Sequence, residues 1–325
     1  MMNRKVLISV IVIAVLALLL IIGRRERSAD VPEIEPWEGE AEEIIIQKKD
    51  DARIRMLKKE NRWVLNDEEY PADPQAVLKI DKAIRDLVIT DLISEKPHYL
   101  RYGLEEKALR VTAKKGGSVV RDLLIGKKSS THRHTYIRFP DRPEIYLASG
   151  NLVDALEKTV DDLRDKEIFK VTPKGVESFQ LHYGGRKLTF AKIKEKVPAD
   201  SEEAEKEQQS KENSAKKKEK EVEQWICEEH RQVQIDEGAI NTVINSFNPL
   251  KADGFVSLKK DSLKNPRCVV TVKASQKNIT LSIFDTEGEK EKRYLCTSSE
   301  SPYVFTLKKW SVEKYFKKLE DFKKK

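Results

Sequence analysis

Two histidines, His132 and His134 in the segment SSTHRHTY, show the spacing in this chain that most resembles a metal site. On a strand, residues at i and i+2 point to the same face, so two imidazoles could share a zinc or copper ion. No third ligand is evident nearby in the sequence, and the corresponding positions of the second half of the chain are Lys290 and Lys292. A solvated turn is the simpler interpretation, and we predict neither a metal nor another cofactor.

Two carboxylates, Asp73 and Asp236, could be imagined as a catalytic pair. Each one stands directly before a predicted helix, where an aspartate side chain caps the first free N–H groups. Capping already explains both residues. The sequence also lacks the Walker, GxSxG and HExxH patterns. We therefore predict no catalytic residue and no enzymatic activity.

Charge is spread along the chain rather than gathered in one patch. Its 62 Lys and Arg exceed its 55 Asp and Glu by a net +7, without the compact basic and aromatic cluster that would bind nucleic acid. Lysines surround a predicted amphipathic helix at the C-terminus and could contact anionic lipid, although a solvated helix end is the simpler interpretation. These are Lys317, Lys318, Lys323, Lys324 and Lys325. We predict no nucleic-acid partner.

A membrane segment is the strongest signal in the sequence. Val6–Ile22 is a run of seventeen residues in which Ser9 is the only polar member. As a helix it would be about 25 Å long, which suffices for a hydrocarbon core of about 30 Å with snorkelling flanks. A cleaved signal peptide would need small residues after the run, and RRER follows Gly23 instead. We predict a signal anchor over residues 1–27 that spans the lipid bilayer.

The orientation of this anchor depends on a close balance of charges. Arg24, Arg25 and Arg27 follow the apolar run, whereas Arg4, Lys5 and the N-terminal amine precede it. The positive-inside rule does not separate these two sets clearly. A short basic leader before an apolar run is typical of a signal anchor whose chain follows it outward. We therefore predict a single-pass protein of the cytoplasmic membrane with its bulk on the extracytoplasmic, periplasmic side.

Two further segments lack the pattern of a folded core. Residues 28–40 contain PEIEPW and predict a short stalk, since the two prolines and two glutamates of this motif resist regular structure. Residues 195–221 combine balanced Lys and Glu with almost no apolar residue, which predicts a charged, disordered excursion. Cys227, Cys268 and Cys296 are too few for a disulfide framework, and the sequence leaves open whether the last two pair.

The rest of the chain reads as one unit present twice. Trp63 and Trp225 occupy matching places in a third strand, and the two aspartate caps, Asp73 and Asp236, follow at a nearly constant interval. Each copy continues through a helix and further alternating strands to a closing helix. The stripes of the closing helices are Val153, Leu156, Val160 and Leu163 in the first copy and Val312, Tyr315, Leu319 and Phe322 in the second.

This order of elements predicts an α+β fold. A transmembrane helix would precede two tandem copies of an antiparallel sheet with helices, over residues 41–172 and 173–325. The charged excursion would interrupt a hairpin of the second copy, where an insertion costs little stability.

The segment YGLEEKALRVTAKKGGSVVRDLLIG, with TYIRF, EIYLA and LRDKEIF after it, resembles the bacterial domain of unknown function 4340 family. The resemblance covers Ile44 to Phe169 well and the second copy weakly. Lys107 stands where the family usually has a proline, which the second copy supplies as Pro266. The residues that carry the family pattern, expected at strand ends and turns, are Trp63, Asp73, Tyr102, Gly103, Leu104, Gly126 and Tyr136.

The resemblance implies a single-anchor protein of the bacterial envelope, often encoded beside ABC-type transport components and gliding-motility-like auxiliary proteins. It implies no known active site. We therefore predict an accessory or scaffold protein associated with ABC-type transporter subunits or a gliding-motility-like complex. Two alternatives stay open at this point: an envelope hydrolase or other enzyme with a non-obvious site, and an extracytoplasmic sensor that binds a ligand.

Overall fold

The computed structural model describes residues 13–18, 31–198, 219–285 and 293–324. The predicted anchor Val6–Ile22 lies outside them apart from residues 13–18, which are helical. In the described part of the chain, no helix combines the length and the apolar character needed to cross a membrane. Lys290, Lys292 and Lys325 also lie outside the described residues.

The chain divides into two compact units, Met1–Asp165 and Lys166–Lys325. Both are built mainly from antiparallel sheet with few and short helices, which confirms the predicted α+β class at this level. The division falls several residues before the predicted boundary at 172/173. The reason is that Glu167–Phe169 pairs with Leu250–Lys251, and Phe169 packs in the core of the second unit.

Within the described residues of the first unit, nine strands form one sheet in the order β4-β3-β2-β1-β6-β7-β8-β9-β5. The strands are β1 (Glu43–Gln47), β2 (Arg53–Lys59), β3 (Arg62–Leu65), β4 (Tyr70–Pro71), β5 (Ile89–Ser94), β6 (Leu109–Lys115), β7 (Ser118–Lys128), β8 (His134–Arg138) and β9 (Ile145–Ser149). Alternation decides which face is buried: Ile44 and Ile46 are fully buried, whereas Ile45 between them is only partly covered.

Four helices accompany this sheet in the described residues: α1 (Pro74–Arg85), α2 (Tyr99–Tyr102), α3 (Leu152–Leu156) and α4 (Val160–Leu163). Helix α1 buries Val77, Ile80 and Ile84 at helical spacing against the sheet. The prediction of a single closing helix is wrong, because the structure has two short helices, α3 and α4, in its place. Thr159 starts the second one by forming a capping box with Asp162.

Residues 31–40 belong to the segment for which the sequence predicts a stalk, and they have no regular structure. This segment, which we call the strap, packs Ile34 and Trp37 against the core of the first unit. Arg121 donates from Nη2 to the carbonyl of Glu35 at 3.0 Å and lies over the ring of Trp37 at 5.4 Å. The prolines and acids of the strap disfavour regular structure, but they do not prevent the strap from packing on the first unit. Side chains of the folded unit, such as Arg121, supply its hydrogen-bond and ring contacts.

The described residues of the second unit contain an eight-stranded sheet in the order β13-β12-β11-β16-β17-β18-β19-β15, and the separate pair β10-β14. The strands are β10 (Glu167–Phe169), β11 (Val176–Tyr183), β12 (Arg186–Pro198), β13 (Glu219–Cys227), β14 (Leu250–Lys251), β15 (Gly254–Val256), β16 (Cys268–Ala274), β17 (Lys277–Phe284), β18 (Arg293–Ser298) and β19 (Ser301–Lys308).

Two α-helices, α5 (Glu237–Asn245) and α6 (Lys309–Val312), belong to the described part of this unit. Short 3₁₀ turns stand at Pro173–Gly175, Glu228–His230, Lys260–Ser262, Glu313–Tyr315 and Leu319–Phe322. The predicted amphipathic closing helix is wrong here as well, because the C-terminal stripe is divided between α6 and two 3₁₀ turns. Tyr315 and Phe322 are nevertheless buried in the core. The regular spacing of apolar residues in this segment therefore reflects their burial and does not require one continuous helix.

The predicted excursion at 195–221 is shorter than expected at both ends. Strand β12 continues to Pro198 and β13 begins at Glu219, with Pro198 paired to Glu219. Antiparallel pairing therefore extends into the charged sequence, because backbone hydrogen bonds do not require apolar side chains. Residues 199–218 lie outside the described residues.

Candidate functional site

His132 and His134 do not share a strand. His132 lies in a turn with φ of 58°, and its N–H donates to the carbonyl of Ser129 at 3.0 Å. His134 is the first residue of β8 and pairs with Ser149. The geometry that would place two imidazoles on one face is therefore absent. Across the residues that the structure describes, no group of three or more His, Cys, Asp or Glu could hold a metal ion.

Asp73 and Asp236 each cap a helix in their own unit. The Oδ1 of Asp73 accepts from the N–H of Gln75 at 2.9 Å, and Pro74 occupies the first turn of α1. The Oδ1 of Asp236 accepts from the N–H of Gly238 at 2.8 Å. Both carboxylates are engaged by helix N–H groups, which matches the capping role expected from the sequence.

Five of the family-pattern residues meet in one small cluster, which we call the motif cluster: Tyr102, Gly103, Leu104, Gly126 and Tyr136. The rings of Tyr102 and Tyr136 are 4.8 Å apart, and Gly103 ends α2 with a left-handed φ of 70°. Leu104 is fully buried in a small apolar core that also contains Ala108, Leu124 and Ile145. The pattern therefore describes a packing arrangement.

Gly126 is the residue at which the backbone of strand β7 approaches the end of α2. A Cβ at this position would lie 2.3 Å from the carbonyl oxygen of Tyr102 and 2.9 Å from Cγ of Leu104. Only glycine permits that approach of strand β7 to the end of α2.

Trp63, which with the helix cap Asp73 completes the pattern, lies in β3 with 7% of its surface exposed, and its carbonyl accepts from the N–H of Ala72 at 3.0 Å. The indole is therefore part of the core of the first unit.

The C-terminal lysines do not line one face of a helix. The N–H of Lys318 donates to Asp321 at 2.8 Å, and the N–H of Lys324 donates to the carbonyl of Gln234 at 3.0 Å. The Nζ of Lys317 lies 5.3 Å above the ring of Phe322. The terminal segment is thus attached to the second unit by its backbone.

The three cysteines are buried and free. Cys268 and Cys296 pair with the same residue, Ile283, from opposite sides of β17. Two strand spacings of about 4.8 Å separate them, which exceeds the reach of a disulfide. Burial raises the pKa of Cys268 to about 12, and burial raises that of Cys227 as well, so these thiols are protonated at neutral pH.

A groove runs along the outer side of β13 in the second unit, and we call it the edge groove. It has a volume of about 580 Å³. One wall is the strand segment 224–226, which includes Trp225, and the other is the segment 231–237. Lys324 closes one end. Its lining is more polar than apolar, with glutamines at positions 224, 232 and 234.

A short turn holds the two walls of the edge groove apart. The chain leaves β13 at Cys227 and enters the 3₁₀ turn Glu228–His230. Within this turn, the carboxylate of Glu229 accepts from both N–H and Oγ1 of Thr189, each at 2.7 Å. Burial disfavours the charge, but the hydrogen bonds from Thr189 outweigh it, and the pKa of Glu229 is lowered. The turn is therefore attached to β12.

The outer wall of the edge groove is fixed on its far side. Ile235 forms a bridge with Lys323, and the N–H of Asp236 donates to the carbonyl of Phe322 at 2.8 Å. Sequence reasoning missed this site, because Thr189 and Glu229 have no distinctive spacing and a groove beside a strand depends on where the next segment runs.

A second groove, of about 590 Å³, lies on the sheet of the first unit, and Glu43 in its lining is paired with two cations of the same lining. Glu43 accepts from Lys114 at 2.9 Å and from Arg55 at 2.5 Å. Asn66 accepts from the N–H of Arg55 at 2.9 Å. Because these side chains already have internal partners, they are less available to bind a ligand than the unpaired strand edge of β13 in the second unit.

Comparison with known proteins gives one result. The model of the family described as Domain of unknown function (DUF4340) matches residues 63–266. No curated protein and no solved structure matches the chain. The matched range begins at Trp63 and ends at Pro266, and it includes the motif cluster and both walls of the edge groove, but not Lys324.

Proposed function

The chain belongs to the DUF4340 family, since the family model covers more than half of it, and from this premise we propose a membrane-anchored, extracytoplasmic scaffold protein. Its role is to dock onto a membrane complex of the ABC-transport type. The observation that carries the proposal is the exposed edge of β13, the terminal strand of its sheet among the described residues, beside the open edge groove. Strand edges offer unpaired N–H and C=O groups to another chain.

The anchor in this proposal rests on the apolar run Val6–Ile22, and the transport partner rests on the family resemblance. We expect alkaline phosphatase fused after Lys325 to be active in cells, because the anchor would carry the bulk of the chain outward. A reporter that works only in the cytoplasm should be inactive at the same position. The opposite pair of results would place the two units in the cytoplasm and overturn the localisation.

The docking role is tested by affinity purification of the tagged full chain in mild detergent, followed by mass spectrometry. We expect reproducible recovery of an ABC-type permease or ATPase, because a strand edge retains its partner through several main-chain hydrogen bonds. Recovery of the chain alone, together with an activity that is lost on mutating clustered polar residues, would overturn the scaffold role in favour of an enzyme.

We also propose that the two units arose by duplication of one ancestral unit. The sheet orders support this: β3-β2-β1-β6-β7-β8-β9-β5 in the first unit has the same sequence of connections as β13-β12-β11-β16-β17-β18-β19-β15 in the second. The caps support it too, since Asp73 donates its N–H to the carbonyl of Leu163 as Asp236 does to that of Phe322, each at 2.8 Å.

A further inference from the structure

The two units differ in what lies beside their third strand. In the first unit, β4 fills this place: Tyr70 pairs with Leu65 and Pro71 with Val64 in antiparallel register. On its other side the same segment bridges the closing turn through Ala72 and Arg164. The segment is therefore held from both sides, and the edge of β3 is covered.

In the second unit, only one of these two attachments is present among the described residues. Ile235 bridges Lys323 as Ala72 bridges Arg164, so the outer attachment is kept. The inner side differs, because β13 ends its sheet and the edge groove separates it from the segment 231–235. The attachment of Glu229 to Thr189 directs the chain away from β13 and keeps this place open.

We propose that the edge groove receives an extended segment of a partner protein, which pairs antiparallel with β13 at residues 224–226 as β4 pairs with β3. This inference rests on the proposed docking role and names the edge that performs it. Three residues of strand span about 10 Å, and the groove of about 580 Å³ has the size of an ordinary ligand site. Main-chain hydrogen bonds would supply the affinity and side chains the selectivity.

The first unit also indicates which side chain the partner segment should carry. There the guanidinium of Arg164 lies 4.0 Å from the centre of the Tyr70 ring, a cation–π contact made by the strand that fills the place. The edge groove offers cations of its own in Arg231 and Lys324. The fitting segment is therefore extended, carries an aromatic residue and has no proline at the residues that bond to β13.

Pairing of β13 with the β13 of a second copy of this chain does not fit the groove. The segment 231–237 stands along the outer side of β13, so two β13 edges from two copies would each be blocked by the wall of the other. If two copies paired antiparallel through β13 about its central residue, Glu223 of one copy would also face Glu223 of the other. Like charges directly opposite each other are destabilising. These two arguments favour a different protein as the occupant.

The test uses the tagged full chain purified from cells in mild detergent. We expect Gln232→Trp, which places an indole in the groove, to reduce recovery of the partner at least about tenfold, or roughly 1.4 kcal/mol of binding. Asn278→Trp, at an exposed position of β17 in the same unit, should leave recovery unchanged. Unfolding temperatures of both variants, measured by circular dichroism, show whether either substitution unfolds the protein.

A second measurement does not depend on a variant that fills the groove. A photocrosslinking residue, p-benzoylphenylalanine, replaces Gln232 in one strain and Asn278 in another, and adducts are mapped by mass spectrometry. We expect the first position alone to label an extended, aromatic-containing segment of the partner. Adducts on a second copy or on this chain itself would overturn the proposal, as would undiminished recovery by folded Gln232→Trp.

Recovery by the wild-type chain separates the two proposals. If the wild type recovers a transport subunit and folded Gln232→Trp recovers it equally well, the groove assignment fails and the scaffold role stands. If the wild type recovers no partner and the chain with p-benzoylphenylalanine at position 232 labels none, both fail.

Discussion

Replacing Gly126 with alanine is expected to destabilise the first unit by about 3 kcal/mol, at the upper end of what overpacking costs. The added Cβ would stand 2.3 Å from the carbonyl oxygen of Tyr102, a backbone atom that cannot rotate away. Relief requires β7 and the end of α2 to separate, which opens the small core around Leu104. The unfolding temperature of this unit should fall by roughly 6–12 °C.

The measurement is thermal unfolding followed by circular dichroism, with hydrogen exchange and mass spectrometry to show which unit opens first. Gly175→Ala is the matched control, because its new Cβ would meet only Oγ of Ser275 at 3.6 Å and its φ is not left-handed. It should change stability by less than about 0.5 kcal/mol. Equal stability of Gly126→Ala and Gly175→Ala would show that the motif cluster tolerates expansion and that the packing explanation is wrong.

The motif cluster shows how far the sequence could be followed. The resemblance to the family identified its members: a Tyr-Gly-Leu entry, a strand ending in Ile-Gly, and a tyrosine in the next strand. Gly103 lies at the end of α2, where a turn is expected, whereas Tyr136 lies in the middle of β8 and Gly126 within β7, so the expectation of strand ends is wrong for these two residues. Their meeting could not be predicted, since it depends on how β7 passes over α2, a long-range approach with no sequence period.

Where apolar residues recur with a clear helical or strand period, the presence of the element was easier to predict than the residues at which it begins and ends. The spacing of Val77, Ile80 and Ile84 predicts α1, and the alternation in β1 predicts its buried face. The closing helices were predicted as single helices because their apolar stripes have helical spacing. A capping threonine, Thr159, and the 3₁₀ turns divide them, since burial of the stripe tolerates a break in the backbone.

The strap and the edge groove were missed for a common reason. Neither has a periodic pattern, and both are defined by side chains from distant parts of the chain. Trp37 is held by Arg121, and the groove is held open by Glu229 bonded to Thr189. A carboxylate on helix α1 also holds the end of the strap, and the sequence analysis did not single it out.

Asp81 is that carboxylate, and its side chain is fully buried. Its Oδ1 accepts from the N–H of Ala41 at 2.9 Å, and its Oδ2 pairs with Nη1 of Arg85 at 3.0 Å. The same nitrogen of Arg85 donates to the carbonyl of Gly39 at 2.7 Å. Helix α1 thus holds the end of the strap through the ion pair of Asp81 and Arg85, which bonds to the backbone of Ala41 and Gly39.

We expect Asp81→Ala to destabilise the first unit by about 3 kcal/mol, the lower end of the range for breaking a buried ion pair, because Arg85 retains Asp86 as a partner. Asp81→Asn keeps an acceptor for the N–H of Ala41 and should cost less, about 1.5 kcal/mol. The strap should also become accessible, so Glu-C protease should cut Asp81→Ala after Glu38 or Glu40 before it cuts the wild type.

The pH dependence of this loss gives an independent check. Burial raises the pKa of Asp81, against the opposing effects of the Ala41 N–H and Arg85. A carboxylate whose folded pKa is raised contributes most stability below its unfolded pKa of about 3.9, and that contribution falls as pH rises through the folded value. The difference in unfolding free energy between wild type and Asp81→Ala should therefore increase from pH 7 to pH 4. A difference that shrinks on acidification would mean that the ion pair with Arg85, rather than the cost of burying the charge, dominates at this site.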